Sequence, residues 1–367
     1  MMSRLQWRTV YNVNSTMEDG LDEGNSDWMS RLPEEYLDVS LWNLALPGTV
    51  NISMPTGSCV FSCQMSPICV RTTLSGSHDS MSFCLDVCSP VLQSESCVLR
   101  GLDKVAPCWT RRCVSRWATT QQAVLSRQCD LGIRFLDLRI ARKPKDCCNL
   151  FFAHGIYTRI TVKEALDELA TWLDAHPREV VIVCCSHFHF LTLSDHTKLV
   201  EYLISLFGPK LCSSQDNPTL RSCWSRGQQV IVSYDNQDMA QDHPELWTGI
   251  PYWYADSPNP EKVVAYLEAQ KRKGRPAGFY ISGLNLTEHA PYIFFHPLQS
   301  MRKMTTKALA VLLGWVREQR PGPEVDRVNI VCCDFVDVSH FCDCVVGLNY
   351  KGGVDRNKKR LACQSAC

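Results

Sequence analysis

The strongest constraint on the fold is a regular alternation of short apolar runs with longer helical patterns, which begins near residue 130. Runs rich in Val and Ile predict buried strands, and they lie at Ile133–Arg139, Val180–Cys185, Val230–Tyr234, Gly278–Gly283 and Val328–Asp334. Apolar residues at helical spacing predict helices over Lys198–Leu206, Glu261–Lys271 and Lys307–Gln319. This alternation is typical of parallel β-α units.

Another helix is predicted between the first two of these strands. Thr161 and Glu164 have the spacing of a capping box, in which each side chain accepts a hydrogen bond from the backbone N–H of the other. The apolar positions of this helix are Val162, Ala165, Leu166, Leu169, Trp172 and Leu173. A succession of such units forms either an open sheet or a closed barrel. Because no G-x-G-x-x-G turn follows a strand, we predict an α/β fold of the barrel type.

Charge and hydropathy exclude several classes of function. The 38 Lys and Arg residues balance the 38 Asp and Glu residues, so no strong field attracts nucleic acid. The longest apolar stretch, Ala308–Val316, is only nine residues long, whereas a transmembrane span needs about 20. The first twenty residues contain no apolar segment of the secretory type, so we expect a cytoplasmic location. The 21 cysteines include no C-x2-C pair, and no zinc site is predicted.

Four short stretches carry residue types that suit chemistry, and each ends or follows a predicted strand. They are Gly76–Asp79, Arg134–Arg139, Ala153–Gly155 and Cys333–Phe335. The carboxyl ends of parallel barrel strands meet on one face, so we expect these stretches to converge. Side chains alternate along a strand, so Asp137 and Arg139 point the same way, where the guanidinium can bind a phosphate.

Two histidines and an arginine at such a face suit the cleavage of a phosphodiester by an internal hydroxyl. One neutral histidine of the pair His78 and His154 can take the proton of the attacking hydroxyl, and the other, protonated, can give one to the leaving oxygen. Asp79 and Asp334 are candidate carboxylates beside them, and Arg139 offsets charge on the phosphoryl oxygens. These residue types alone also fit a structural role, in which the aspartates cap helices or form ion pairs.

The stretches GSHDS, LGIRFLDLRIA, AHGIYT and IVCCDF, in this order, resemble the X domain of phosphatidylinositol-specific phospholipase C. The resemblance runs from about Ser26 to Lys351 and is closest to small eukaryotic proteins built on this domain alone. It implies a distorted or incomplete TIM-type (β/α) barrel with phosphoric diester hydrolase activity. The implied substrate is an inositol phospholipid at a membrane surface, cleaved to diacylglycerol and an inositol phosphate through a cyclic intermediate.

The resemblance also assigns roles by position. His78 resembles the general base toward the inositol 2-hydroxyl, and His154 resembles the general acid. Asp334 corresponds to the carboxylate that orients His78. Asp79 and Asp137 match acidic residues on the leaving-group side.

Other positions bear on the requirement for a metal and on the recognition of the inositol ring. Arg139 matches the phosphate-stabilising arginine of the bacterial enzymes, and it stands where calcium-dependent members carry acidic ligands, so we predict neither metal nor cofactor. His187 stands where the bacterial enzymes carry a basic residue. Tyr234, Trp253 and Tyr254 are candidates for stacking on the substrate ring, and equally for packing in the core.

One segment interrupts the resemblance. Thr49–Ser75 follows the predicted first strand LWNLALPG and separates it from SHDS, to which family members join it directly. The segment is either a long loop or a translated non-coding or variant exon, and its composition favours the second. We predict that this form is less active than one lacking the segment. The expected organisation is an extension over residues 1–25, a barrel over 26–350 with the insertion at 49–75, and a basic tail over 351–367.

Two other functions stay open on the sequence. A catalytically weak head-group-binding or regulatory protein fits the insertion and the missing basic residues. A glycerophosphodiester phosphodiesterase is also a barrel, but it depends on metal-binding carboxylates at the place of Arg139.

Overall fold

The core of the fold is a curled sheet of mainly parallel strands. A computed structural model gives the structure of the chain and describes residues 24–51, 107–143, 146, 148–154, 157–296 and 298–351. The strands in these residues are β1 (Leu46–Asn51), β2 (Phe135–Arg142), β3 (Leu150–Ala153), β4 (Tyr157–Thr161), β5 (Val181–His189), β6 (Val230–Tyr234), β7 (Leu246–Trp247), β8 (Tyr252–Trp253), β9 (Ile281–Gly283) and β10 (Ile330–Cys332). Every strand predicted after residue 130 overlaps one of them.

Helices cover the outside of this sheet. In the same part of the chain they are α1 (Pro107–Ala118), α2 (Leu125–Asp130), α3 (Val162–Ala175), α4 (Leu193–Phe207), α5 (Leu220–Arg226), α6 (Gln237–Asp242), α7 (Pro260–Lys273), α8 (Ala290–Phe295), α9 (Met301–Glu318) and α10 (Phe341–Val346). The helices predicted from periodicity correspond to α3, α4, α7 and α9. None of the described helices has both the length and the hydropathy that crossing a bilayer requires.

The sheet curls into a barrel that stays open at one seam. Its strand order is β7-β6-β5-β2-β1-β10-β9-β8, and each neighbouring pair in this order is parallel. No ladder joins the edge strands β7 and β8 within the described residues. The Thr248 carbonyl between them accepts instead from the Ser233 hydroxyl at 2.9 Å, and Pro251 has no N–H to donate. The prediction of a distorted or incomplete TIM-type barrel is confirmed.

Alternate residues of β2 face opposite sides of the sheet. Phe135 packs with Cys332 in a cluster on the inner face, together with apolar residues from the segment before β1. Leu136 packs in the larger cluster between the sheet and the helices. Because the side-chain period of a strand is two, Asp137 and Arg139 share the inner face with Phe135. β2 therefore carries one polar pair into the barrel.

Helix α3 begins at the predicted capping box. The Thr161 hydroxyl accepts from the Glu164 N–H at 3.1 Å, and the Glu164 carboxylate accepts from the Thr161 N–H at 2.8 Å. The six apolar positions predicted for this helix are all buried. The helix packs them against the outer face of the sheet.

The first strand lies further along the chain than predicted. The segment LWNLALPG begins with a 3-10 turn at Leu41–Asn43, and β1 continues to Asn51. Thr49 and Val50 pair in register with β2, because β-branched residues suit a ladder position. Thr49 and Val50, at the start of the expected insertion, therefore belong to β1, and the bounds of the insertion stay a prediction. Residues 52–75 lie outside the described residues, as do 1–23 and 352–367.

Candidate active site

A cavity of about 310 Å³ opens at the carboxyl ends of the parallel strands, where barrel enzymes hold their active sites. Arg139, His154 and Asp334 line it together, although they are far apart in the sequence. Val50 at the end of β1 also lines it. The fold thus brings three of the predicted catalytic residues to one place.

Arg139 offers hydrogen-bond donors to this cavity. Its Nε lies 3.7 Å from Asp137 Oδ2, and among the described residues this buried nitrogen has no hydrogen-bond partner. The Asp137 carboxylate also accepts a hydrogen bond from the Ser186 hydroxyl. A buried guanidinium N–H without a partner is unfavourable, so the position suits an anionic oxygen of a ligand.

His154 follows β3 and is oriented by the end of helix α1. Its Nδ1 lies 3.3 Å from the carbonyl oxygen of Ala118, the last residue of that helix. A hydrogen bond there puts the proton on Nδ1 and leaves Nε2 for other partners. Burial, followed by the charge of Arg139, lowers the pKa of His154 to about 4. This environment therefore favours the neutral imidazole at pH values near 7.

Asp334 follows β10 and is held by a chain of hydrogen bonds. The Asn285 Nδ2 donates to Asp334 Oδ1 at 2.6 Å, and the Tyr252 hydroxyl donates to Asn285 Oδ1 at 2.7 Å. Burial raises the pKa of Asp334 to about 7. The carboxyl group is therefore fixed in place and can exchange a proton near neutral pH.

The other two predicted catalytic residues, His78 and Asp79, lie outside the described residues. Their roles as base and leaving-group carboxylate stay predictions.

The predicted aromatic residues separate between the two faces of the sheet. Tyr254 lines the cavity. Trp253 faces the helix side and packs on Tyr280, with ring centroids 4.7 Å apart. Tyr234 is buried on the same side and its hydroxyl lies 2.8 Å from His196 Nδ1. The structure does not bring Tyr234 or Trp253 to the cavity, because alternate strand residues face opposite ways.

Nine of the described lining residues were not among the predicted site residues, and four of these nine carry a titratable group or an amide. Tyr252 precedes Trp253 on β8, and the two-residue period of that strand pairs it with Tyr254. Asn285 and Glu288 come from the loop after β9. His187 stands in the left-handed backbone region, with φ of 48°, and its Nδ1 lies 3.0 Å from the Ser186 hydroxyl. The position of GLNLTE after a strand was the available signal for the loop residues.

Comparison with protein families and curated sequences gives consistent matches. The PI-PLC X family model matches residues 114–261. A PI-PLC X domain-containing protein 1 from Danio rerio is 44% identical, over 91% of this chain and 99% of its own length. The Homo sapiens protein of the same name is 41% identical, over 89% of this chain and 93% of its own length.

Solved structures with a similar fold are bacterial phospholipases. A mutant of the phosphatidylinositol-specific phospholipase C from Staphylococcus aureus superposes with a TM-score of 0.54 at 14% identity, covering 90% of this chain and 98% of that one. The Listeria monocytogenes enzyme gives 0.52 at 17% identity, with 89% and 98% coverage. At such identities the likeness concerns the fold. Taken with the sequence relatives, it leads to one conclusion: the chain belongs to the family of PI-PLC X domain-containing proteins.

Proposed function

We propose that the chain is a phosphoric diester hydrolase of the phospholipase C type. It cleaves an inositol phospholipid to diacylglycerol and an inositol phosphate through a cyclic intermediate, with neither metal nor cofactor. One observation carries the proposal: the buried Nε of Arg139 lacks a hydrogen-bond partner among the described residues, beside a cavity that His154 and Asp334 also line. A phosphodiester oxygen supplies the acceptor that this guanidinium needs.

In the first step, the 2-hydroxyl of the inositol ring attacks phosphorus and His78 takes its proton. The bond between phosphorus and the diacylglycerol oxygen breaks, and His154 gives that oxygen a proton. Arg139 donates hydrogen bonds to a non-bridging oxygen, where negative charge grows. In the second step, water opens the cyclic phosphate, and the two histidines exchange roles.

The remaining site residues position these groups. Asp334 orients His78. The Asn285 amide donates a hydrogen bond to Asp334, and the Tyr252 hydroxyl donates one to Asn285. His154 must gain a proton before it can act as an acid, because burial and the charge of Arg139 lower its pKa to about 4. The bound anionic diester favours the protonated imidazole, and so does Asp79 on the leaving-group side.

The substrate of such an enzyme lies in a membrane surface, so the protein binds there transiently from the cytoplasm. Four exposed apolar side chains support this, and we call them the apolar rim: Phe190, Leu193, Phe295 and Leu298. They follow β5 and β9 in the chain, at the end of the barrel where the cavity opens. Burial of apolar rim residues in a lipid interface favours adsorption without a membrane span.

A second candidate function is head-group binding with weak turnover. The low pKa of His154 favours it, because little of the imidazole is protonated near pH 7. Both candidate functions use the same cavity, and a measurement of turnover distinguishes between them.

The test is the release of water-soluble inositol phosphate from phosphatidylinositol vesicles, with a chelator present. His78→Ala and His154→Ala are the test variants, and His340→Ala, an exposed histidine at the start of α10, is the matched control. Release that requires both histidines and tolerates the chelator supports the hydrolase. No release, with retained binding of the head group, supports the second candidate. Inhibition by the chelator contradicts the metal-independent mechanism.

A further inference from the structure

The groups that line the cavity supply little positive charge. Among the described lining residues, Arg139 is the one with a permanent positive charge. His154 and His187 also line the cavity, and burial, then the charge of Arg139, lowers the pKa of each. Near pH 7 both imidazoles are therefore mostly neutral. The cavity can neutralise one phosphodiester charge and offers no second permanent cation from the described residues.

Two carboxyl groups share this cavity with the arginine. Asp334 follows β10, and Glu288 comes from the loop after β9. They are close enough for the charge of Glu288 to raise the pKa of Asp334, and burial raises the pKa of Glu288 itself to about 7. No ion pair joins Glu288 to a basic side chain within the described part of the chain. This wall of the cavity therefore becomes negative when the carboxyl groups ionise.

We propose that Glu288 determines head-group specificity. It excludes head groups that carry further phosphomonoester groups, and it admits a head group that is an uncharged polyol. The inference rests on the proposed function, since it takes the ligand to be a phosphodiester bound at Arg139. Each further phosphate brings a charge of about −1.5 to −2 near pH 7. That charge would meet Glu288 and Asp334 where a site for phosphorylated head groups needs lysine or arginine.

A polyol matches the same wall through hydrogen bonds. Its hydroxyl groups can donate to Glu288, and they can accept from a carboxyl group that is protonated. A primary ammonium group is the competing ligand, and it needs carboxylates that stay ionised. Because the pKa of both carboxyl groups is raised to about 7, each is partly protonated near neutral pH. This state favours the polyol.

Calorimetric binding of soluble head groups tests the inference without requiring turnover. The probes are glycerophosphoinositol, the same compound with two further phosphates on the ring, and glycerophosphoethanolamine. The two inositol compounds are compared at about pH 8, where a carboxyl group with a pKa of about 7 is mostly ionised. Glycerophosphoethanolamine is compared with glycerophosphoinositol at about pH 7, where both carboxyl groups are partly protonated. The variants are Glu288→Gln, Glu288→Lys and, as the charge-matched control, Glu261→Gln on the exposed first turn of α7.

The full chain is expected to prefer glycerophosphoinositol over both other probes. Glu288→Gln removes one negative charge that repels phosphate. It should therefore reduce the ratio of the affinities for glycerophosphoinositol and for the phosphorylated compound by about tenfold. Glu288→Lys should reverse that preference, and Glu261→Gln should leave it unchanged. Equal binding of the two inositol compounds, an unchanged preference in Glu288→Gln, tightest binding of the ethanolamine compound or no binding of glycerophosphoinositol overturns the inference. The expected preference without lipid hydrolysis overturns the proposed function alone.

Discussion

At the scale of single residues, the site depends on a polar group whose hydrogen-bonding capacity the described residues do not satisfy. Arg139 Nε is buried and, among the described residues, without a hydrogen bond, while Asp137 sits 3.7 Å away and binds Ser186. The guanidinium is thus only partly neutralised and is held ready for an anion. Such preorganised donors contribute more to a transition state than to the ground state.

Arg139→Lys should lower kcat on phosphatidylinositol by about a hundredfold, because an ammonium group lacks the planar fork of donors. KM should change much less. The measurement is steady-state hydrolysis, with Arg221→Lys at an exposed ion pair as the control. An increase in KM with an unchanged kcat would mean that Arg139 binds the substrate and does not stabilise the transition state.

Asp334 should make the protein less stable as the pH rises. An unfolded aspartate titrates at about 3.9, whereas burial raises the pKa of folded Asp334 to about 7. Between these values the unfolded chain releases its proton first, so the contribution of Asp334 to the free energy of unfolding falls as the pH increases. The loss is complete above the folded pKa.

Asp334→Asn should therefore gain stability relative to the parent as the pH is raised from about 4 to about 7. Urea unfolding at several pH values measures the difference, and Asp256→Asn at an exposed position is the control. A difference between Asp334→Asn and the parent that does not vary with pH would show that Asp334 titrates normally.

At the scale of elements, short strands position the site through close backbone contacts. A Cβ atom at Gly283, the last residue of β9, would lie 2.5 Å from the Tyr252 ring. Tyr252 supports Asn285, and Asn285 supports Asp334. The absence of a side chain at Gly283 thus sets the geometry of the Asp334 carboxyl group, which follows another strand, β10.

Gly283→Ala should displace Tyr252 and reduce turnover by about tenfold or more, since a small misplacement of positioning groups is costly. Gly314→Ala is the matched control: a Cβ atom there meets nothing within 4 Å, and the residue lies inside helix α9. That control should keep full activity and gain about 0.5–1 kcal/mol of stability. Activity is compared at equal folded fraction, and equal rates for the two variants would argue against the positioning role of Gly283.

β1 also explains why the inserted segment matters. Val50 pairs in register with Asp137 and lines the cavity, and the Thr49 hydroxyl donates to Gln128 Oε1 at 2.8 Å. Joining Gly48 directly to Ser77 would give these two strand positions to Ser77 and His78. The histidine would then take the place of Val50 on the cavity wall.

Deleting residues 49–76, which removes the predicted insertion 49–75 together with Gly76 so that Gly48 joins Ser77, should therefore raise turnover by about a hundredfold, the contribution expected of a positioned general base. The same deletion with His78→Ala is the control and should lose this gain, falling to the level of the full chain that carries His78→Ala. Equal turnover by the full chain and the deletion variant would contradict the prediction.

At the scale of the whole molecule, the cavity and the apolar rim lie at the same end of the barrel. Phe190, Leu193 and Leu298 are 61%, 71% and 80% exposed. Val325 is 70% exposed as well, but it precedes β10 and so lies toward the opposite end. With balanced total charge, adsorption to a lipid surface depends on where apolar groups are exposed.

Replacing Phe190, Leu193 and Leu298 by Ser should weaken vesicle binding by more than tenfold, because each apolar side chain buried in lipid contributes about 1.5 kcal/mol or more. Hydrolysis of a soluble, short-chain substrate should be retained. Val325→Ser is the control and should bind vesicles like the parent, as sedimentation with phosphatidylinositol vesicles measures. Unchanged sedimentation of the triple variant would place the membrane contact elsewhere.

The sequence by itself determined the type of fold and the main elements. Helix α3 was predicted from its capping box and apolar period, and both signals are local to the segment 161–175. That Asp137 and Arg139 face the same side of the sheet followed from the strand period alone. Motif order added the family, which the comparisons confirm.

Only the tertiary structure decided which residues share the cavity. Tyr252 and Tyr254 face it while Trp253 and Tyr234 face the helices, because the phase of each strand depends on how it packs in the sheet. Glu288 and Asn285 line the cavity from a loop, and a loop has no periodic sequence pattern from which their position could be predicted. Thr49 and Val50 belong to β1 because they pair with β2. This pairing joins segments that are distant in the sequence, so the local pattern did not predict it. Local pattern specifies elements, and non-local packing brings their side chains together.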